Sequence, residues 1–246
     1  AYAIVGFSIV AFRKQRKIGI KINLSDHKLA RDQLWFLAIF LIKVALGFVL
    51  FKGKAWLSLF FILAYTIYCY TEMSAKNEAG TERLAPLKFR PQKVNPEFLW
   101  VIFQTGTSLA LIFIGSQVFV NRLETLSKIF GIAPHIIALF LSPIATELPE
   151  VLNAVIWVRQ GKERLALGNI SGAMMIQATI PTALGLIFTP WLFDSYLVMG
   201  AISTVLSISF LWLCLRSRRF SAKKLLISSL FYGGFIISVV IIKFFR

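Results

Sequence analysis

Glu147 and Glu150 stand three residues apart inside the apolar segment 134–158, whose midpoint is residue 146. Spacing of three puts both side chains on nearly the same face of a helix. A charge at the centre of a bilayer costs about 2.5–3.5 kcal/mol on insertion scales. Two like charges at that separation repel, so at least one is protonated unless a cation lies between them. The chemistry this implies is reversible capture of a cation or of protons at mid-membrane depth. Pro143 and Pro149 flank the pair. Each removes a backbone donor and frees the carbonyl about four residues earlier, near Leu139 and Ala145. Freed carbonyls at membrane depth line cavities or bind ions. The competing reading is a proline kink whose acids pair with a buried base. Lys43 is the one basic residue inside any other complete apolar run, and it reads as snorkelling or paired rather than as a transport residue.

The following apolar segment, 165–190, has its midpoint near Gln177, at the depth of Glu147. The Gln177 amide oxygen and the Thr179 hydroxyl are oxygen donors suited to a hard cation. An interhelical hydrogen bond is the alternative use of Gln177. Gly168, Gly172 and Ala173 have the spacing of a small-residue packing face, as do Thr105, Gly106, Thr107 and Ser108 in segment 98–120. His135 reads as interfacial. So do Trp35, Trp56, Trp100, Trp157 and Trp191, near the ends of the apolar segments. The sequence has no HExxH, GxSxG or Walker A pattern. Oxygen donors without a Cys or His cluster favour Ca2+ or Na+ over zinc. Cys69 and Cys214 both lie in apolar segments, so neither a disulfide nor a CxxC motif is expected. No enzyme is indicated and no resident cofactor is expected.

The elements that position these residues follow from composition. Hydrophobic residues make up 57% of the chain and charged residues 15%. A soluble domain carries roughly a quarter charged residues, so the solvent of much of this surface is lipid. Seven runs approach the ~20 residues of a span: 34–51, 55–70, 98–120, 134–158, 165–190, 195–215 and 225–242. Residues 1–12 read as the tail of an eighth. Backbone groups in lipid must pair internally, and strand-like alternation is absent, so the fold class is all-α integral membrane protein. With eight runs in series, loops 13–33, 72–97, 159–164 and 216–224 share one side and carry 20 Lys and Arg, against six on the other. The positive-inside rule puts the 20-charge side in the cytoplasm and the C-terminus outside. It also accounts for the net charge of +16 without a nucleic-acid partner. The polar stretch 72–97, with Pro86, Pro91 and Pro96, reads as a cytoplasmic linker between 1–71 and 98–246. The opening residues, with neither Met nor a signal-peptide pattern, suggest that upstream sequence is missing.

Residues 142–185, SPIATELPEVLNAVIWVRQGKERLALGNISGAMMIQATIPTALG, resemble the α-repeat of the calcium/cation antiporter superfamily, the sodium/calcium exchanger group. That pattern reads roughly GTSxPE, a short basic loop, then ALGNxxGSNxFN. Thr146, Pro149, Glu150, Ala166, Leu167, Gly168, Asn169 and Gly172 match it, with residues 159–164 as the loop. The resemblance extends more loosely over the rest of the chain. It implies an inverted-repeat exchanger fold of ten helices with an ion site at the midplane. Seven complete helices and one partial helix would lie here: the end of the first repeat in 1–71, and the second repeat in 98–246. The first α-repeat would be a missing N-terminal partner. Its ligand positions fall on Glu150 (the acid), Thr146 and Gln177. Glu147 stands where the family has serine, Ala145 where it has glycine, and Ala173 and Met174 where it has Ser and Asn. With Asn169 these give the candidate metal set Glu150, Glu147, Gln177, Thr146 and Asn169. The function implied is secondary antiport of an inorganic cation, Ca2+ for Na+ or H+, in the plasma or inner membrane. A channel would need a repeated pore-lining ring, and a non-transporting scaffold would need neither acid. An aspartyl-type intramembrane enzyme is the remotest alternative.

Overall fold

The computed structural model describes residues 2–14, 27–50, 53–74, 87–92, 97–216 and 221–244. Its helices are α1 (Tyr2–Ala11), α2 (His27–Leu46), α3 (Ser58–Ser74), α4 (Phe98–Phe130), α5 (Pro134–Arg159), α6 (Glu163–Phe188), α7 (Ser195–Arg216), α8 (Ala222–Ile227) and α9 (Ser229–Phe244), with a 3-10 turn at Lys54–Leu57 before α3. The apolar runs are helical, and their ends shift for local reasons. α2 begins at His27, well before its apolar run, and ends at Leu46; Gly53, just before the 3-10 turn, has φ +93°. The run at 225–242 is divided at Ser228, whose hydroxyl donates to the Leu225 carbonyl at 2.6 Å. Most of the 72–97 linker lies outside the described residues.

Among the described residues, five helical segments are long and apolar enough to cross a membrane: Lys54–Ser74, Phe98–Phe130, Glu163–Phe188, Ser195–Arg216 and Ala222–Ile242. α2 and α5 have comparable length but carry charge. α2 holds Lys28, Arg31, Asp32 and Lys43, and α5 holds the two acids. Their apolar faces are diluted by side chains with other work.

The chain forms two compact units, 75–145 and the remainder. In the first, α4 ends at Gly131 in the left-handed region, φ +61°, and both Gly131 and Ile132 donate to the Ser127 carbonyl. Glycine at this position costs no Cβ clash. Arg90 pairs with Glu97 at 3.3 Å and lies over the Trp100 ring at 4.6 Å. Space around Gly106 is open, so the small residues expected to pack there have no close neighbour among the described residues.

In the second unit α6 is the central element, packed by α1, α2 and α3. Its buried residues include Leu167, Ile170 and Met175, in one core with Ile9, Phe61, Ala154 and Val158. Gly6 lets α1 press on α8: a Cβ there would stand 2.7 Å from Leu225 Cβ. A buried polar knot joins α1, α2 and α6. Gln33 Nε2 donates to Tyr2 Oη at 2.7 Å and to Ser171 Oγ at 2.8 Å, and the two hydroxyls are 2.9 Å apart. These buried bonds specify one register among three helices, although Gln33 Oε1 is buried without a hydrogen-bond partner among the described residues.

Close by, at the N-terminal end of α2 and ahead of its apolar run, Lys28 Nζ meets Glu72 Oε2 at 2.5 Å. Asp32 is buried here. Burial pushes its carboxyl up to about 6; the Glu72 carboxylate adds to the rise, and Lys28 and Arg31 oppose it. An acid whose folded pKa is raised favours folding below that pKa. The contribution is lost as pH climbs from the unfolded value, about 4, to about 6. Melting temperatures of the full-length protein should therefore fall relative to Asp32→Asn across that window and run parallel to it above. Parallel curves throughout would show that Asp32 does not titrate there.

Candidate functional site

The site is built on the α5–α6 hairpin. α5 closes in a Schellman arrangement: Lys162 N donates to Trp157 O at 2.8 Å and Gly161 N to Val158 O at 3.0 Å, with Gly161 at φ +76°. Only glycine takes that conformation cheaply. The connection is three residues long, from Arg159 at the end of α5 to Glu163 at the start of α6.

On α5, Glu147 and Glu150 are half-buried on the face that continues through the buried Ala154 and Val158. Leu148, Leu152 and Ile156 occupy the opposite, exposed face. Thr146 is exposed beside the acids. Within Glu150, Oε2 is buried and has no hydrogen-bond partner among the described residues. A buried carboxylate oxygen left unpaired costs free energy unless a proton or cation satisfies it.

On α6, Asn169, Ala173, Gln177 and Pro181 follow one another at intervals of four, forming a single ridge. Asn169 is half-buried, its Nδ2 buried and without a partner among the described residues, and Gln177 is exposed. At 1.5 Å per residue, Asn169 and Gln177 lie about 9 Å and ~21 Å along α6 from its start, and Glu150 and Glu147 lie ~14 Å and ~18 Å along α5 from its end.

The remaining candidates separate from this set. Thr179 is fully buried, and its hydroxyl donates to the Met175 carbonyl at 2.7 Å and the Ile176 carbonyl at 3.2 Å. It serves its own helix on another face. A Cβ added to Gly168 or Gly172 would meet nothing within 4 Å, so no other backbone among the described residues approaches them closely. His135 is exposed near the start of α5. Lys43 stands one turn from the end of α2, its ammonium 4.5 Å over the Phe40 ring.

Pro143 and Pro149 behave differently from a simple break: α5 is continuous through both. The carbonyls of Leu139 and Ala145 lose their i+4 donor inside an unbroken helix. The boundary between the two compact units falls at Ala145 and Thr146, where Pro149 leaves the hydrogen-bond ladder one rung short. Two features escape the sequence reading. Pro181 lies inside α6; a proline in mid-span was the signal for it, the same one that marks Pro143 and Pro149. Lys54 is buried, not a loop cation: its ammonium donates to the carbonyls of Val49 (2.9 Å), Trp191 (2.8 Å) and Pro190 (3.4 Å). Nothing local in the sequence announces that contact across 137 residues.

The model of the family described as "Sodium/calcium exchanger protein" matches residues 100–244. The chain is 28% identical over 190 residues to the inner membrane protein YrbG of Escherichia coli (strain K12), covering 77% of this chain and 56% of that protein. It is 30% identical over 118 residues to the putative antiporter CaxA of Alkalimonas amylolytica, covering 45% and 36%. Against the sodium/calcium exchanger MaX1 of Methanosarcina acetivorans the figures are 34% over 113 residues, 44% and 32%. The chain thus spans about a third to just over half of these relatives. A crystal structure of an H+/Ca2+ exchanger, CAX, superposes with a TM-score of 0.68 at 19% identity, covering 97% of this chain and 60% of that one. That likeness establishes the all-helical exchanger fold. With the family model spanning more than half the chain, this multi-pass membrane protein belongs to the sodium/calcium exchanger family.

Proposed function

We propose that the chain is part of a secondary antiporter that exchanges Ca2+ for Na+ or H+ at a midplane site centred on Glu150. The buried, unpartnered Glu150 Oε2 carries this reading. A carboxylate oxygen kept from water and from protein donors is suited to a mobile positive partner. Glu147 on the same face supplies a second negative charge, Asn169 and Gln177 supply amide oxygens, and Thr146 adds oxygen beside the acids. An unloaded pair of carboxylates is too charged to pass between inward- and outward-facing states; either a cation or protons must neutralise it first. That requirement couples the two fluxes. The ten-helix assembly, the first α-repeat as the other half of the site, the cytoplasmic central loop and the outer C-terminus belong to the same proposal. The names of MaX1 and the CAX structure support the ion class, and that of CaxA supports antiport.

Uptake of radiolabelled Ca2+ into vesicles bearing the full-length protein, driven by an imposed Na+ or pH gradient, tests it. Uptake that follows either gradient is expected. No gradient-driven uptake of any cation would return the protein to the scaffold reading, and current without exchange would return it to the channel reading.

A further inference from the structure

Pro181 continues the ridge Asn169–Ala173–Gln177 by one more interval of four. A proline has no N–H, and in an α-helix the N–H of residue 181 is the donor that would occupy the carbonyl of residue 177. α6 nevertheless runs unbroken through this point, from Glu163 to Phe188. The Gln177 carbonyl therefore loses its helical partner within a continuous helix. Gln177 and Pro181 are both exposed in this chain, whereas Ala178, Thr179, Thr182 and Ala183 around them are buried. The neighbouring turns show the opposite treatment of carbonyls. Those of Met175 and Ala178 each accept a threonine hydroxyl, at 2.7 Å from Thr179 and 2.9 Å from Thr182, on the buried side of the helix. The released carbonyl belongs to the same residue that bears the Gln177 amide.

We infer that Pro181 creates a backbone oxygen ligand at Gln177, so that this residue offers the cation two oxygens, the side-chain amide and the main-chain carbonyl. This rests on the antiport reading and adds a specific donor to it. The chemistry is suited to Ca2+ or Na+. Both take main-chain carbonyls, and a carbonyl released by proline at membrane depth needs a partner, which a cation in the site supplies. It also offsets the hydroxyl absent at Ala173, which stands one interval earlier on the ridge.

The test is equilibrium binding of Ca2+ alone and Na+ alone to the full-length protein in lipid nanodiscs, for three variants. Pro181→Ala restores the N–H and favours the helix, so its effect cannot come from unfolding. It should weaken binding about tenfold, the loss of one charge-assisted donor. Replacing Pro181 by lactic acid, the hydroxy-acid analogue of alanine, removes the N–H again without the proline ring. It should restore affinity to within about twofold of the unmodified protein. Glu150→Gln should abolish binding. If Pro181→Ala binds as the unmodified protein does, or if the alanine and lactate forms bind alike, the carbonyl ligand is refuted while the Glu150 site stands. If the unmodified protein binds neither ion, the antiport reading fails and this inference with it.

Discussion

Glu150→Gln in the full-length protein is expected to abolish gradient-driven Ca2+ uptake, a loss of at least about a hundredfold. The amide is nearly isosteric, so the helix should persist, but it cannot carry the charge that a cation must meet at Oε2. A ligand bond of this kind, formed in a water-poor site, is worth several kcal/mol, and each 1.4 kcal/mol is a factor of ten. Glu147 should behave differently, since it stands where the α-repeat pattern that this segment resembles has serine. Glu147→Ser should retain uptake and shift its dependence on the driving gradient, because one titratable negative charge leaves the site. Measured in the same vesicles, the pair separates a binding acid from an acid that sets the coupling ion. Equal, total loss in both variants would make the two acids one inseparable unit. Normal uptake by Glu150→Gln would remove the site from this position altogether.

Lys54→Met should be the most destabilising single change at the end of α2 remote from Lys28. The ammonium satisfies carbonyls from two connections, Val49 after α2 and both Pro190 and Trp191 after α6. Its neighbours depend on the same contacts. Trp191 is held at φ +49°, in the left-handed region that bulky residues avoid. Its indole Nε1 donates to Lys43 O at 3.0 Å, and Phe193 N donates to Gly47 O at 3.1 Å. Both rings need glycine beneath them: a Cβ on Gly185 would collide with the Trp191 ring, and one on Gly47 would sit 2.5 Å from Phe193. Methionine keeps the stem and removes the donor from part-buried carbonyls, at a cost of about 1–2 kcal/mol. Thermal unfolding in detergent should show a drop of several degrees. Uptake at low temperature should survive, because Lys54 does not belong to the Glu150 site. An unchanged melting temperature would mean that water replaces the ammonium without cost.

Composition, apolar run length and charged-loop asymmetry made the helices legible, because each is a local property of a chain in lipid. The acids stand out in the sequence for the same reason: a carboxylate at residue 147 or 150 is costly in a span. The ridge on α6 was half legible. Gln177 stands out as polar, but Thr179, two residues on, is its equal by type. Burial, and the bond from the Thr179 hydroxyl to its own helix, tell the two apart. The Lys54 clasp and the Tyr2–Gln33–Ser171 knot were not legible. Both depend on which side chains meet across 31 to 169 residues, and periodicity carries no information about that. The break in the 225–242 run was hidden because Ser228 bonds back to its own turn, a habit serine has in many unbroken helices as well.

That α1, α2 and α3 all lean on α6 sets a timetable for synthesis. Ser171, which completes the knot with Tyr2 and Gln33, and Trp191, which completes the clasp with Lys54, are made roughly 100 residues after α3 ends. At about 5–20 residues per second the early helices wait on the order of 5–20 s in the bilayer before their partner arrives. During that interval Gln33 and Lys54 are polar groups in search of provisional company. A chain truncated before α6 should be held by the insertion machinery or degraded, rather than accumulate as a stable half.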